Sequence, residues 1–390
     1  MTETADVVIV GAGVQGASLA FHLARRGVRV VVLERTAVAA GATGRSSGLV
    51  RMHYDLLLEA RLAWASFAYF TNWREVVGEG EPAFVRTGFL QLVPPHHGPA
   101  LRANVAAQQA AGIETDVVDR DAVARILPGA HVEDVEVAAY EPRSGYADPT
   151  GATAGFLAAA RALGAHVAVT TRVRSVDVSG DRVVGVTTDR GLFAAPIVVD
   201  AAGAWAGELA ASVGLDVPIE PWRHDTAYFG LPEGRASGLP SVIDHNLEMY
   251  FRPEGRELLL VGLQVGSTIG GRPDDPMPGL GPTTVELMAN RVCARLPWME
   301  AATFRTGHDG QDGISPDQRP ILGPAGPDGF FLDCGHSGTG FKTSPAIGLS
   351  MAEWILDGRP STIDITPFAF DRFDRGEPIL GEHPYDAIWC

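Results

Sequence analysis

The stretch DVVIVGAGVQGASLAFHLARRGVRVVVLE, residues 6–34, carries the strongest fold signal in the sequence. It contains a β-branched run, a glycine turn, a helix that Gly27 ends, and a second β-branched run, which together predict a βαβ unit. Gly11, Gly13 and Gly16 form the pattern G-x-G-x-x-G in the turn. The first glycine allows the tight turn, the second lets the backbone approach a pyrophosphate, and the third permits close packing of helix against strand. The stretch therefore predicts a dinucleotide-binding unit.

The acidic residue at the end of this unit narrows the choice of dinucleotide. Glu34 ends the second strand, where a carboxylate accepts hydrogen bonds from ribose hydroxyls. The same charge repels a 2′-phosphate, which disfavours NADP. The N-terminus of the intervening helix adds partial positive charge toward the phosphates. These features leave both NAD and FAD open.

The composition excludes several classes of partner. With 46% hydrophobic and 20% charged residues, the chain has the composition of a soluble globular protein. A net charge of −16 argues against nucleic acid or an anionic membrane surface as partner, because both require basic patches. No stretch approaches the roughly 20 apolar residues of a transmembrane helix. The apolar N-terminal run is short, broken by glycine and lacks a basic region, so it predicts a strand rather than a signal peptide.

The cysteines predict neither a disulfide framework nor a metal centre. Cys293, Cys334 and Cys390 are odd in number and lack the spacing of metal ligands. They are typical of reduced thiols, so we expect a cytoplasmic protein that holds no metal.

Signals for strands and helices recur along the whole chain. Residues 151–164 are predicted to form a helix, and residues 165–199 alternate β-branched residues with hairpin signals, as in a second sheet. Residues 216–305 contain strand-like runs and a predicted helix near 283–294. Residues 329–358 have the pattern of a strand, a glycine turn and a helix. We therefore predict an α/β (α+β) fold, in which a Rossmann-like cofactor domain carries an inserted, mainly antiparallel β substrate domain.

The predicted domains are discontinuous in sequence. The cofactor domain is expected over residues 1–85, 145–215 and 306–365, and the substrate domain over residues 86–144 and 216–305. The tail of residues 366–390 is rich in aromatic residues and proline, which suggests that it packs against the body of the chain or against a neighbouring subunit.

Three further motifs, together with the opening stretch, resemble one family. They are GATGRSSGLVR at 41–51, VVDAAGAWAG at 198–207 and DGISPDQRPILGP at 312–324. In this order they resemble the D-amino-acid oxidase type of flavoprotein, in particular its sarcosine oxidase, glycine oxidase and dimethylglycine dehydrogenase branches. The resemblance covers nearly the whole chain to about residue 360 and implies that the cofactor is FAD. It implies cofactor contacts for Gly11, Gly13, Val14, Gln15, Gly16, Glu34, Arg35, Arg45, Ser46, Ser47, Val173, Gly203, Gly338, Thr339, Gly340, Phe341 and Lys342.

One lysine in the chain occupies an informative position. Of 31 lysine and arginine residues only Lys342 is a lysine, and it follows the glycine-rich turn GHSGTGF at 335–341. A larger, planar guanidinium does not replace a lysine in every site. The resemblance implies that this turn lies against the pyrimidine edge of the flavin, where the amides of Gly338, Gly340 and Phe341 stabilise negative charge. It also implies that Lys342 and Arg51 hold the substrate carboxylate; the alternative for Lys342 is a pair with a structural acid.

The implied reaction removes a hydride from the carbon beside an amine and gives an imine, which water hydrolyses. The implied substrate is a small carboxylate-bearing amine, either an amino acid or an N-alkyl amino acid. Tyr250 is predicted to line its pocket and His53 to lie beside it, and Tyr54, His224 and His336 are further candidates. A core or surface role is the alternative for each histidine. The predicted catalytic residues are therefore Arg51, Lys342, Tyr250 and His53.

Three departures from the family pattern refine the expectation. Gly310 and Arg45 stand where relatives attach FAD through a cysteine or a histidine, so non-covalent FAD is expected. Leu260 stands where sarcosine oxidases carry a lysine that promotes reaction with O₂, which favours a dehydrogenase or a slow oxidase. The electron acceptor, O₂ or another, stays open, as does the oligomeric state. Alternative functions are a flavin-dependent 2-hydroxy-acid dehydrogenase and the FAD subunit of a hetero-oligomeric amino-acid dehydrogenase.

Overall fold

The predicted βαβ unit is present and lies at the centre of the molecule. Strands Val7–Val10 and Val30–Leu33 are parallel neighbours, and helix Val14–Arg25 connects them. Both strands are buried on their two faces, as expected for β-branched runs inside a parallel sheet. The computed structural model describes residues 2–233, 235, 238–264 and 266–386.

The central sheet combines segments from the start, the middle and the end of the chain. Its neighbouring strands are parallel except for the last pair, which is antiparallel. In spatial order the strands are His166–Ala168, Val30–Leu33, Val7–Val10, Ile197–Asp200, Phe330–Cys334 and Ile321–Pro324. Helices Val14–Arg25, Pro149–Ala162 and Gly340–Asp357 pack together beside it. The carboxyl ends of the parallel strands meet along one edge, where open α/β sheets bind their ligands.

A smaller sheet forms from part of the predicted second sheet. Its strands are Thr2–Thr4, Gly191–Ala194, Arg182–Thr188 and Val173–Ser179, and the last two form the hairpin that turns at Gly180. The ends of the predicted stretch, His166–Ala168 and Ile197–Asp200, join the central sheet instead. The expectation of one sheet over 165–199 was therefore wrong at both ends, because those strands pair in parallel with distant segments.

The largest sheet forms the predicted β substrate domain and is mainly antiparallel. Its one parallel pairing among the described residues joins Ser241–Asp244 to Phe89–Leu92. In spatial order its strands are Thr268–Ile269, Glu220–Gly230, Leu258–Leu263, Met249–Glu254, Ser241–Asp244, Phe89–Leu92, Val137–Glu141 and Asp116–Asp119, and Thr303–Ile314 also pairs with Glu220–Gly230. Helix Pro282–Arg295 contributes Met288 and Val292 to a core on one face. The predicted fold class is confirmed, and the domain boundaries stay predictions.

The remaining elements join these layers. They are the small sheet of Leu49–Val50, Gly145–Tyr146 and Val85–Arg86 and the helices Leu57–Thr71, Trp73–Val76, Gly98–Ala110, Arg120–Ile126 and Ala206–Ala210. No helix in the described part of the chain is both long enough and apolar enough to cross a membrane.

The C-terminal tail packs against the body of the chain, which was one of its two predicted positions. Arg372 is buried and pairs with Asp317 at 2.8 Å. The same carboxylate accepts a hydrogen bond from the amide of Ile379. Further along, Tyr385 is almost completely buried. The tail is therefore part of the folded body at least as far as residue 386.

Candidate active site

A cavity of about 440 Å³ lies between the carboxyl edge of the central sheet and the largest sheet. Its nucleotide side is the wall that includes Gly11, Gly13, Glu34, Arg35 and Val173. Its clamp side is the wall that includes Arg51, Tyr250, Asp312 and Lys342. A volume of this size is within the range of small-molecule and cofactor pockets.

Glycines bring the main chain to the nucleotide side. Gly11 has φ of +113°, and a Cβ atom there would collide with the carbonyl oxygen of Ala201. Gly13 lines the cavity with only the Thr43 hydroxyl near its missing Cβ, at 3.3 Å. Gly16 does not line the cavity, because it packs against the Gly11 carbonyl. This position agrees with the helix–strand packing expected for Gly16, but not with a cofactor contact.

Glu34 and Arg35 extend this wall beyond the glycine turn. The Glu34 carboxylate lines the cavity and accepts hydrogen bonds from the amides of Ala12 and Thr36, at 3.1 and 2.8 Å. The Arg35 guanidinium lies 3.9 Å from the centre of the Trp205 ring, which also lines the cavity. This stacking fixes a flat aromatic surface where a base or sugar can rest.

Sequence reasoning missed the residues that hold Arg35. Asp274 pairs with Arg35 at 2.8 Å and accepts a hydrogen bond from the Trp205 indole at 2.8 Å. Trp205 belongs to the motif VVDAAGAWAG, which gave a signal for it. Asp274 lies 239 residues from Arg35 in an exposed loop with no recognisable pattern.

The clamp side brings two cations together around one aromatic ring. The Arg51 guanidinium carbon lies 4.4 Å from the centre of the Tyr54 ring, and the Lys342 Nζ lies 5.7 Å from it. Both charged side chains are buried, with Arg51 1% and Lys342 6% exposed. Arg51 follows strand Leu49–Val50 and donates a hydrogen bond to the His53 carbonyl, whereas Lys342 lies in the first turn of helix Gly340–Asp357.

Burial and mutual repulsion prepare this pair for an anion. Burial, and after it the charge of Arg51, holds the pKa of Lys342 well below its usual range. An anionic group between the two cations would offset both effects. Among the described residues Lys342 forms no ion pair within 4.0 Å, and the charges of Glu59 and Asp312 oppose the lowering of its pKa only in part.

A buried network lies behind the lysine. Arg319 pairs with Glu59 and with Asp55, the latter at 2.7 Å. Glu59 also accepts a hydrogen bond from the Thr339 hydroxyl at 3.3 Å. Thr339 was predicted to contact the cofactor, but it does not line the cavity. Its side chain is turned toward this network and supports the glycine turn from behind.

Tyr250 lines the cavity as predicted. Its ring lies over Gly262, where any Cβ atom would collide with it, and its hydroxyl is 3.4 Å from the Thr226 hydroxyl. Burial raises the pKa of Tyr250 to about 12, so the phenol is neutral at physiological pH.

The candidate histidines differ in position. His224 and His336 line the cavity, and the His336 Nε2 lies 3.0 Å from the buried Asp333 carboxylate. His53 does not reach the cavity. It is fully buried behind Arg51, its Nε2 lies 2.9 Å from the Tyr385 hydroxyl, and burial lowers its pKa to about 3. The predicted catalytic role of His53 is therefore wrong, because its ring contacts Tyr385 of the tail and does not line the cavity.

Most predicted cofactor and substrate residues share this one cavity. Those that line it are Gly11, Gly13, Val14, Gln15, Glu34, Arg35, Arg45, Ser46, Ser47, Arg51, Val173, Gly203, Tyr250, Gly338, Gly340, Phe341 and Lys342. Asp312 and Gln311 also line it and were not predicted, although Asp312 begins the quoted motif DGISPDQRPILGP.

The geometry agrees with comparisons to known proteins. Residues 6–354 match the protein family described as FAD dependent oxidoreductase. The chain belongs to this family. Members related to it include the mouse mitochondrial sarcosine dehydrogenase, which is 29% identical over 96% of this chain and 42% of that protein. Another is the 4-methylaminobutanoate oxidase (formaldehyde-forming) of Paenarthrobacter nicotinovorans, which is 27% identical over 93% of this chain and 45% of that protein. The chain thus spans less than half the length of these curated relatives.

Two solved structures superpose on nearly the whole of this chain. L-proline dehydrogenase from P. horikoshii superposes with a TM-score of 0.89 at 25% identity, over 97% of this chain and all of that one. Glycine oxidase from Geobacillus kaustophilus superposes with a TM-score of 0.82 at 26% identity, over 95% of this chain and 99% of that one. The predicted family is therefore confirmed.

The residues present fit FAD, the cofactor of this family. Helix Val14–Arg25 begins at the cavity with Gly13 as its N-cap residue, which supplies no side-chain cap. The Val14 amide donates to the Thr43 hydroxyl at 3.1 Å, and the amides that follow it would be available to a diphosphate. The Gln15 Oε1 is buried beside the cavity without a hydrogen-bond partner among the described residues, as a polar atom awaiting a ligand would be. Glu34 lies where a ribose would be bound.

Proposed function

We propose that this chain oxidises the C–N bond of a small amino acid or N-alkyl amino acid. Bound FAD would supply the oxidant: the amine, neutral once its ammonium proton has passed to water, would lose a hydride from the adjacent carbon, and water would hydrolyse the resulting iminium. The observation that carries the proposal is the buried pair of Arg51 and Lys342 on the cavity wall opposite the nucleotide side. The activities after which relatives are named, which include sarcosine dehydrogenase and glycine oxidase, support the same substrate class.

Arg51 and Lys342 hold the substrate carboxylate in this proposal. A guanidinium binds a carboxylate through two parallel hydrogen bonds, and an ammonium adds a point charge. The bound anion opposes both causes that lower the pKa of Lys342, which are first its burial and then the charge of Arg51, and it therefore favours the protonated lysine in the complex. The two cations thereby fix the orientation of the carbon that loses its hydride.

The glycine turn before Lys342 supports the cofactor. Gly338 has φ of +80°, and at Gly340 a Cβ atom would lie 2.8 Å from the Cβ of His336 and 2.9 Å from the Gln15 amide nitrogen. The main chain is therefore exposed at the cavity, at the N-terminus of helix Gly340–Asp357. Its amides would stabilise the negative charge that a bound flavin gains when it supplies the oxidising chemistry.

The cofactor is proposed to be bound without a covalent link. A Cβ atom added at Gly310 would lie 3.3 Å from His224 Cε1 and 3.4 Å from Arg45 Cβ. These two side chains occupy the space that a cysteine at this position would need. Arg45 directs its guanidinium to the carbonyls of Ala40 and Gly41.

A spectrum and a substrate panel test the proposal. The purified protein should show a bound flavin that acid precipitation releases into the supernatant. Under anaerobic conditions, amino acids or N-methyl amino acids should bleach it. A flavin that only 2-hydroxy acids bleach would contradict the proposal in favour of the alternative dehydrogenase.

The electron acceptor is tested by admitting air to the reduced enzyme. Leu260 is completely buried in a cluster with Tyr250 and Ile243, so no cation stands at the position expected to promote reaction with O₂. We expect slow recovery of the flavin colour in air and rapid recovery with an artificial quinone acceptor. Recovery in air as fast as with the quinone would identify an oxidase.

A further inference from the structure

A carboxylate lies on the clamp side of the cavity, in the same chamber as the two cations. Asp312 belongs to strand Thr303–Ile314 and lines the cavity with a side chain that is 20% exposed. Its charge acts on both Lys342 and Tyr250: it raises the pKa of Tyr250 and opposes the lowering of that of Lys342. The clamp side therefore contains a negative pole as well as a positive one.

The sheet register holds Asp312 against a histidine. Asp312 is directly opposite Trp222, and Gly310 is directly opposite His224, so Asp312 and His224 are diagonal neighbours on one face of the sheet. The Oδ2 of Asp312 lies 3.6 Å from the Nε2 of His224. Because Gly310 has no side chain, the His224 ring can lie beside it.

Other carboxylates near the cavity have different surroundings. The Glu34 carboxylate accepts hydrogen bonds from main-chain amides on the nucleotide side, and the Asp333 carboxylate is buried beneath His336. Asp312, in contrast, is partly exposed to the cavity, and among the described residues only the His224 imidazole lies within 4.0 Å of it as a basic group. A carboxylate so close to a carboxylate-binding clamp repels an anionic ligand unless that ligand also carries a positive charge.

An amino acid satisfies both poles. It enters the site with a carboxylate for the two cations and an ammonium group for Asp312, and all three of these residues line the same cavity. A 2-hydroxy acid has the same carboxylate but a neutral hydroxyl, so it would meet the Asp312 charge without compensation. Specificity arises from such an unfavourable contact with the wrong ligand as much as from favourable ones with the right ligand.

We propose that Asp312, held by His224, recognises the positively charged nitrogen of the substrate and selects amino acids over 2-hydroxy acids. This inference rests on the proposed function, because it assigns the amine partner of the same site. It names Asp312 and His224 as specificity-determining residues that complement Arg51 and Lys342.

Two inert acids of the same shape test the charge selection. Trimethylammonioacetate carries a fixed positive nitrogen, and 3,3-dimethylbutanoate has a neutral carbon in its place. Neither has a nitrogen lone pair to support loss of hydride. Their dissociation constants for the holoenzyme are measured from the change in flavin absorbance, for the wild type, for Asp312→Asn and for Asp225→Asn. Asp225 is a matched control, because it lies on the neighbouring strand and does not line the cavity.

The wild type and Asp225→Asn should bind the charged acid at least about tenfold more tightly than the neutral one. Asp312→Asn should lose most of this preference, mainly through weaker binding of the charged acid. The proposal is overturned if the wild type shows no preference, if neither acid perturbs the flavin, or if Asp312→Asn keeps the preference. Failure of the proposed function would appear separately, as a flavin that 2-hydroxy acids bleach and amines do not.

Discussion

The two sides of the cavity are built by different means. On the nucleotide side the main chain forms the surface, and Gly11 and Gly13 allow it to do so. On the clamp side, charged and aromatic side chains form the surface, and they come from segments far apart in the sequence, such as those of Arg51, Asp312 and Lys342. The nucleotide side is therefore a local property of one βαβ unit, whereas the clamp side is a property of the complete fold.

This difference predicts how each side fails. A backbone surface tolerates no added atoms, so substitutions there act on folding and on cofactor retention together. A surface of side chains can lose one group while the scaffold stands, so substitutions there act on ligand affinity.

The largest expected effect is that of Gly11→Ala. The added Cβ atom would collide with the Ala201 carbonyl, in a residue whose φ is +113°. Strain and overpacking together should lower the free energy of unfolding by about 2–6 kcal/mol and release the flavin. The measurements are chemical unfolding and the flavin content after gel filtration.

Gly27→Ala is the matched control for this prediction. Gly27 also has positive φ, at +76°, but no atom lies within 4 Å of a Cβ placed there. Only the backbone conformation is penalised, so the expected loss is about 1–2 kcal/mol with the flavin retained. Equal losses in the two variants would mean that close approach of the backbone is not what Gly11 provides.

Sequence and structure agree most closely where the pattern is local. The glycine turn, its helix and Glu34 lie within residues 6–34, and the β-branched runs and the glycine pattern of this stretch were enough to place them. Arg51 and Lys342 were predicted through the family resemblance, since no periodicity brings residues 291 positions apart together. Asp312 and Asp274 were missed, because aspartate in a strand or loop gives no signal until the register or tertiary contacts are known.

His53 shows the opposite limit. It stands two residues from Arg51 in sequence, and it was predicted to lie beside the substrate pocket. The structure turns its ring toward Tyr385, which is 332 residues away. Nearness along a chain does not determine which side of an extended segment faces a cavity. Here the contact with Tyr385 in the tail holds the His53 ring away from the cavity.

The next largest effect is expected on the clamp side, from Arg51→Ala. Loss of the bidentate partner should weaken binding of the substrate acid by about 2–5 kcal/mol, which is roughly 30-fold to several thousand-fold. The dissociation constant is measured in anaerobic titrations of the flavin. Arg61→Ala, an exposed arginine on helix Leu57–Thr71, should leave it unchanged. A variant Arg51→Ala with normal affinity and normal turnover would contradict the clamp.

A smaller effect should appear in the pH dependence of stability, on the helix that serves the nucleotide side. His22 is buried against Phe21 and Tyr69, and burial lowers its pKa to about 3. The unfolded histidine binds a proton near pH 6.5, so the stability that the neutral folded form contributes is present above pH 6.5 and is lost as the pH falls toward 3.

His22→Asn should therefore reduce the acid-side slope of the unfolding free energy. The reduction should approach 1.4 kcal/mol per pH unit between about pH 6 and pH 4. His131→Asn, at an exposed site, serves as the control and should leave the slope close to that of the wild type. An unchanged slope in His22→Asn would show that this histidine is already protonated in the folded protein.

The smallest effect should come from Tyr385→Phe, which removes a contact one step behind the clamp. The Tyr385 hydroxyl lies 2.9 Å from the His53 Nε2, and the His53 carbonyl accepts a hydrogen bond from Arg51. Without the hydroxyl the His53 imidazole is less well fixed, and Arg51 with it. We expect KM for the substrate to rise about threefold to tenfold, which is about 0.7–1.4 kcal/mol, with kcat nearly unchanged.

Tyr69→Phe is the control. It removes the hydroxyl of a residue that packs against His22 and does not line the cavity, and it should change neither constant. A fall in kcat at constant KM would show that the tail acts on the chemical step, and equal behaviour of both variants would limit the clamp to the residues that line the cavity.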